Sequence, residues 1–314
     1  MNRNEQPSVP DPAELDLRAE LHLCLGRAFL PPSEPELEQA LVEALPHDLR
    51  ALNEALGYTA ESNPERFAAS ARKASSQPEG LIRLYSRLFL APPFPAAINA
   101  GIHLDGSLMG ASVVGMEDFY FRHGLEKDRE FKDLPDHLAL QLQFVAYLLE
   151  LAAEALRAGE DEKAADLLTE TAAFEQQYMK RWLPLLITDM EKAEAEYEVP
   201  AAYRYLAVMA LDAVACDLEA WSRWPGRSSI TESAEADQEP AGRPAAASGE
   251  RAACRCCGNE YLPAAELAQM VQALEARGLS TEHLTVCPDC SAAEMGLSPT
   301  GLKLPDAVRR QTER

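Results

Sequence analysis

The sequence predicts an all-α protein: a helical bundle of about ten helices, followed by a flexible linker and a small zinc-ribbon-like module. Apolar residues recur at helical spacing through the first two thirds of the 314-residue chain, without convincing period-2 strand pairs, and cysteines cluster near the C-terminus. The predicted division is a disordered N-terminus at 1–14, a helical domain at 15–224, a flexible acidic linker at 225–252, a four-cysteine module at 253–300 and a tail at 301–314.

The first helices are delimited by prolines. Residues 14–30 have helical apolar spacing, and Pro31 and Pro32 are expected to end this helix because proline has no N–H to donate. Residues 33–36, Ser-Glu-Pro-Glu, have the pattern of a capping box, which predicts a second helix to about Leu45.

The next segments alternate between helix and loop. Short helices are predicted after Pro64 and Pro78, and the second contains an apolar run that ends at Phe89. Residues 91–105 begin with three prolines and are predicted to form a loop. Residues 108–125 are predicted to be helical again.

The clearest helix covers residues 136–158. It has two apolar stripes, which predicts burial between other helices at the centre of the core, and Gly159 is expected to end it. The following helix is predicted at 162–183, where Pro184 must kink or end it, and the last core helix at 203–221.

The chain is strongly acidic. It has 51 Asp and Glu against 29 Lys and Arg, a formal net charge of −22, which argues against nucleic acid as the main partner. The charge favours basic partners, or it serves solubility alone, and both interpretations remain open. The N-terminus has no basic start followed by an apolar run, and no apolar stretch reaches about 18 residues, so neither a signal peptide nor a membrane span is expected.

The cysteine cluster predicts a metal site. Cys254 and Cys257 form one C-x-x-C unit, and Cys287 and Cys290 form a second. Four thiolates from two such hairpins can surround one Zn²⁺ as a closed structural site, although thiolates also suit iron. Cys256 is either a bystander or an alternative ligand.

Four stretches in order carry a family resemblance. They are LCLGRAFLPPSEPELEQAL, LIRLYSRLFLAPP, LDGSLMG followed by MEDFYFRHGLE, and DLPDHLALQLQFVAYLL. Tyr120 and Gly124 fit a Y-x-x-x-G pattern, and 135–137 form a Pro-Asp-His element ahead of the long apolar helix. Residues 15–222 thus resemble the TorD/DmsD/NarJ family of molybdoenzyme maturation chaperones, with departures at Gln141, Gln143 and Tyr178.

The resemblance implies a function. Family members are cytoplasmic chaperones that hold the apo catalytic subunit of a molybdopterin oxidoreductase, often through its twin-arginine leader, until the cofactor is inserted. They then release it for assembly or export, and they are not enzymes. The sequence agrees, because it contains no nucleophile elbow, P-loop, dinucleotide fingerprint or H-E-x-x-H pattern.

The Pro-Asp-His element allows two interpretations. Asp136 and His137 lie at the start of the central helix, where they are expected to cap it. Alternatively, they dock a basic client peptide, with Asp136 accepting from arginine. Pro135, Tyr120 and Tyr85 complete the predicted client-binding set, although helical spacing places both tyrosines mainly in the core.

Two other classes of function remain as alternatives. One is a zinc-dependent adaptor, in which the helical domain only scaffolds protein contacts. The other is a redox-sensing regulator that uses Cys254, Cys256 and Cys257. His22, His47, His103, His123 and His283 have no evident partner in the sequence, and each is expected to be solvated or satisfied in the fold.

Overall fold

A computed structural model describes the helical part of the chain, which contains one short strand, and three further short strands beyond it. The described residues are 10–58, 64–92 and 94–222, together with the backbone at 252–253, 260–261 and 302–303. Almost all of the predicted linker and all five cysteines of the predicted module lie outside them, so the domain boundaries stay predictions. Within the described part the protein is mostly helical with almost no strand, which confirms the all-α prediction there.

Eleven α-helical segments make up this part. In chain order, α1 to α11 are Pro12–Ala28, Pro35–Glu43, Leu45–Leu56, Pro64–Ser75, Gly80–Tyr85, Ala100–Asp105, Ala111–Arg122, Leu138–Arg157, Asp161–Phe174, Lys180–Tyr197 and Ala202–Ser222. Helix α5 continues into a π-helical turn at Ser86–Leu90, and a second π-helical turn at Glu175–Met179 joins α9 to α10. Counted as continuous helices, these segments number ten.

Helix α8 is the centre of the core, as predicted from its two apolar stripes. It packs along α1 on one side and against α9 on another. A Cβ atom on Gly26 of α1 would lie 3.3 Å from the Ala139 carbonyl oxygen, so glycine permits this close approach. Among the described helices, α8 is the one long and apolar enough to cross a membrane, yet its most apolar stretch is 72% buried inside the fold, as expected of a core helix.

The structure differs from the local predictions in three places. Glu34, not Ser33, is the N-cap of α2, and it makes no side-chain capping bond. Ser33 lies one residue too early, because its N–H closes a turn onto the Pro31 carbonyl oxygen at 2.9 Å. Two helices, α3 and α6, were not predicted, and α6 falls inside the segment that was expected to be a loop.

Pro184 does not end its helix. It lies inside α10, which continues to Tyr197, and a π-helical turn precedes this helix. Proline in a helix interior removes one hydrogen bond and costs about 3 kcal/mol. Trp182, Leu183 and Leu186 around it are all fully buried, and burying side chains of this size returns roughly 1.5–3 kcal/mol each.

Short strands connect part of the C-terminal region to the helical part. Strand β1 at Glu126–Lys127, just after α7, pairs antiparallel with β4 at Leu302–Lys303. Strands β2 at Ala252–Ala253 and β3 at Glu260–Tyr261 pair with each other. The backbone at 302–303 therefore lies beside the segment that leads into the Pro-Asp-His element.

Candidate functional site

Asp136 is a buried capping residue, but not for the helix that follows it. Its side chain has 0% exposure. The Gly101 N–H donates to Oδ2 at 2.7 Å, and the Asn99 side-chain amide donates to Oδ1 at 3.2 Å. Because Gly101 lies in the first turn of α6, Asp136 caps α6, whereas the sequence predicted a cap on the central helix.

His137 provides the cap of α8. It is the N-cap residue, and the Ala139 N–H donates to its Nδ1 at 3.1 Å. A ring that accepts at Nδ1 is neutral and carries its proton on Nε2. Nε2 faces the Tyr85 hydroxyl at 3.5 Å, and that hydroxyl donates to the Phe29 carbonyl oxygen at 3.1 Å. Burial lowers the pKa of His137, which favours the neutral form.

Backbone and side-chain bonds fix this element to three other helices. The Ala100 N–H donates to the Asp136 carbonyl oxygen at 3.2 Å, and the Gln141 amide donates to the same oxygen at 2.6 Å. The Trp182 indole N–H of α10 donates to Gln141 Oε1 at 2.9 Å. The Tyr120 hydroxyl of α7 donates to the Pro135 carbonyl oxygen at 3.1 Å. We call this assembly the latch, and its members are Asn99, Gly101, Tyr120, Pro135, Asp136, His137, Gln141 and Trp182.

The predicted client-binding residues converge on the latch. Tyr120 meets Pro135, and Tyr85 meets His137, so the structure brings all five residues to one place. All five are buried, which confirms the core interpretation of the two tyrosines. Their part in client binding stays a prediction, and in this conformation they lie beneath the surface.

Helix α7 contributes to the latch with one side and faces solvent with the other. Its inner side holds Tyr120, while its outer side exposes Val114 at 58% and Phe121 at 78%. Met109, just ahead of the helix, is 63% exposed, and Glu117 and Asp118 are also exposed. We call these five residues the α7 outer face. The sequence predicted only a helix at 108–125, although apolar residues on both of its sides were a signal of an exposed apolar surface.

A second buried polar cluster lies between α1, the second π-helical turn and α11. Arg18 Nη1 donates to Asp217 Oδ1 at 2.5 Å, and His22 Nε2 lies 2.8 Å from Asp217 Oδ2. Glu175 of the π-helical turn has its Oε1 atom 4.0 Å from His22 Nε2. His22, Glu175 and Asp217 have at most 1% exposure. His22, which had no evident partner in the sequence, is therefore a buried histidine with a carboxylate partner.

With this geometry in place, comparison with known proteins gives one family to which part of the chain is similar. Residues 38–188 match the family model of the nitrate reductase delta subunit. This family is one of molybdoenzyme maturation chaperones rather than catalysts, so the match supports the TorD/DmsD/NarJ resemblance. The delta-subunit-like segment runs from α2 into α10 and contains the latch and the α7 outer face. No curated protein and no solved structure matches the chain.

Proposed function

We propose that this protein is a cytoplasmic chaperone that binds the apo catalytic subunit of a molybdopterin oxidoreductase. It assists cofactor insertion and assembly, and then releases its client. The observation that carries the proposal is the delta-subunit family match at 38–188, because proteins of that family bind molybdoenzyme catalytic subunits.

The α7 outer face is the surface on which we place the client. Phe121 and Val114 lie seven residues apart, hence on one side of the helix, and Glu117 and Asp118 lie between them. An aromatic anchor beside carboxylates suits a segment with an apolar face and arginine or lysine side chains. A twin-arginine leader has this chemistry, and the net charge of −22 would speed its approach.

The latch gives Asp136 and His137 a supporting role in this proposal. Direct contact between Asp136 and a client arginine would require the latch to open and would break the bonds from Gly101 and Asn99. We therefore propose that the two residues hold α6, α7 and α8 in the arrangement that presents the α7 outer face. Their substitution weakens client binding only as far as it disturbs the fold.

Capture of the client from the native host tests this proposal. Full-length tagged protein should enrich a molybdopterin oxidoreductase catalytic subunit, quantified by mass spectrometry. Phe121→Ser should lower the captured amount about 30-fold, because losing an aromatic anchor costs about 2 kcal/mol of binding. Its melting temperature should not change, since Phe121 is 78% exposed.

Leu185→Ser provides the matched control. Leu185 lies on α10 and is 46% exposed, so this variant also replaces an exposed apolar side chain by serine. It should capture as much client as the wild type. Equal capture by Phe121→Ser and wild type would remove the α7 outer face from the proposal, and enrichment of unrelated proteins alone would refute the chaperone function.

We further propose that Cys254, Cys257, Cys287 and Cys290 bind one structural zinc ion. The support is their two C-x-x-C units, because four thiolates leave no open position on the metal. Cys287→Ser should lose one zinc ion per chain by elemental analysis, whereas Cys256→Ser should keep it. Iron in place of zinc would change the metal assignment. Zinc release coupled to disulfide formation would instead favour the redox-sensing alternative.

A further inference from the structure

Three side chains with metal-ligating atoms converge from distant parts of the helical domain. His22 comes from α1, Glu175 from the second π-helical turn and Asp217 from α11. One ligand atom from each lies within 4.8 Å of the other two. The His22 Nε2 atom is 2.8 Å from Asp217 Oδ2 and 4.0 Å from Glu175 Oε1. Donor atoms around a tetrahedral ion with bonds of about 2.0 Å are about 3.3 Å apart, a value between these two distances.

Glu175 indicates that this cluster holds something more than its own side chains. It has 0% exposure, and in the described part of the chain no N–H group donates to either of its carboxylate oxygens. Its hydrogen-bond neighbour is the Asp217 carboxyl group, which supplies no donor when both acids are ionised. A buried carboxylate without a donor is costly and calls for a cation, a proton or a water molecule. The π-helical turn aims this side chain into the cluster, and such turns are frequent at functional sites.

The charges around the cluster favour a divalent cation. Arg18 is balanced by Glu14, whose Oε1 atom lies 2.6 Å from Nη2. Arg18 Nη1 binds Oδ1 of Asp217 and leaves Oδ2 directed toward His22. With His22 neutral, as a metal ligand must be, and all three acids ionised, these five residues carry a net charge of −2. Arg18 also orients the Asp217 carboxylate, as the outer hydrogen-bond partners of metal ligands commonly do.

We propose that His22, Glu175 and Asp217 bind a divalent transition-metal ion that ties α1, the α9–α10 junction and α11 together. One imidazole and two carboxylates are ligands that Zn²⁺, Mn²⁺ and Fe²⁺ accept. The role is structural, because all three ligands are buried. This site is independent of the proposed cysteine site in ligand type and in position along the chain.

Manganese is the probe of choice, because imidazole and carboxylate oxygen suit Mn²⁺ whereas thiolates select softer ions. Full-length protein is treated with a chelator, and Mn²⁺ binding is then followed by loss of its free-ion EPR signal. We expect one Mn²⁺ per chain. At about 100-fold excess over the dissociation constant, the melting temperature should rise by about 5–10 °C. Zn²⁺ should compete for the same site.

Glu175→Gln should abolish both the Mn²⁺ binding and the rise in melting temperature. The matched control is Glu194→Gln, which alters another shielded glutamate, one that pairs with Arg204 at 2.7 Å and lies far along α10. This control should bind Mn²⁺ like the wild type. If Glu175→Gln does not fold, His22→Gln provides the second ligand variant.

The main alternative to a bound metal ion is a proton on Glu175. Burial, followed by the negative charge of Asp217, raises the pKa of Glu175 well above its usual range. If a proton is the occupant, Mn²⁺ will neither bind nor stabilise the wild type, and Glu175→Gln will be at least as stable at pH 7. That result overturns the metal site, as does equal Mn²⁺ binding by wild type and both ligand variants.

Discussion

Asp217→Asn is expected to lower the free energy of unfolding by about 3 kcal/mol at pH 7. Arg18 and His22 are both buried, and Asp217 is the carboxylate that each of them contacts. Removing one partner from a buried ion pair leaves the other charge uncompensated, which costs about 3–5 kcal/mol. The lower end of this range of energies applies because Arg18 keeps its pairing with Glu14.

The pH dependence of this loss has a definite sign. Burial alone would raise the pKa of Asp217, but the hydrogen bond and the charge of His22, followed by the charge of Arg18, hold it below its usual range. A depressed pKa in the folded state contributes stability above the ordinary carboxyl pKa and loses it as the pH falls. The difference between wild type and Asp217→Asn should therefore shrink below about pH 4.

Thermal and denaturant unfolding measure this effect. For a domain of this size, a loss of about 3 kcal/mol corresponds to a decrease of about 6–12 °C in melting temperature. Glu191→Gln is the control, because Glu191 is 57% exposed and pairs with Arg204 at 3.4 Å, so its loss should be within about 0.5 kcal/mol. A loss below about 1 kcal/mol in Asp217→Asn would contradict a stabilising role for the buried Arg18–Asp217 pair.

Asp136→Ala is the second variant with a large expected effect. It leaves the buried Gly101 N–H and one donor of Asn99 without an acceptor, and it removes the cap of α6. Each unsatisfied buried donor costs about 1–3 kcal/mol, so a loss of about 2–4 kcal/mol is expected near pH 4. Asp118→Ala on the exposed side of α7 should change stability little.

The loss in Asp136→Ala should be larger at pH 4 than at pH 7. Burial raises the pKa of Asp136 to about 6, although the bonds from Gly101 and Asn99 oppose the shift. The folded state then holds its proton more tightly than the unfolded state, so this residue stabilises the fold at low pH. Its contribution decreases by about 3 kcal/mol as the pH rises from about 4 to about 6. An equal loss at pH 4 and pH 7 would contradict the buried position of this carboxylate.

The central helix could be predicted from sequence because two stripes of apolar residues at helical spacing indicate its burial. Helix α6, at the end of the segment 91–105 that was expected to be a loop, could not be predicted in this way. Helix α6 has six residues, and its capping carboxylate, Asp136, is 35 positions away along the chain from Gly101. Local patterns contain no sign of such a cap. The sequence placed Asp136 and His137 correctly at the start of the central helix. Because the cap on α6 comes from so far along the chain, the sequence assigned Asp136 to the wrong helix.

The buried cluster was also beyond sequence reasoning. His22 and Asp217 are 195 positions apart, and each lies on an otherwise ordinary helical pattern. Glu175 comes from a π-helical turn that the continuous helical periodicity of residues 162–183 did not reveal. The packing of α1 and of the second π-helical turn against α11 brings these groups together. Pairs of polar residues on core-facing helical positions were the only available signal, and they did not specify partners.

The cofactor content of the captured client tests most directly whether this protein is a maturation chaperone. The full-length protein is isolated from its native host with the bound catalytic subunit, and molybdenum is measured per subunit in the complex and in the released enzyme. A maturation chaperone should hold a subunit with far less than one molybdenum atom, whereas the released enzyme should contain about one. A complex in which the catalytic subunit already carries its full complement of molybdenum would contradict the account.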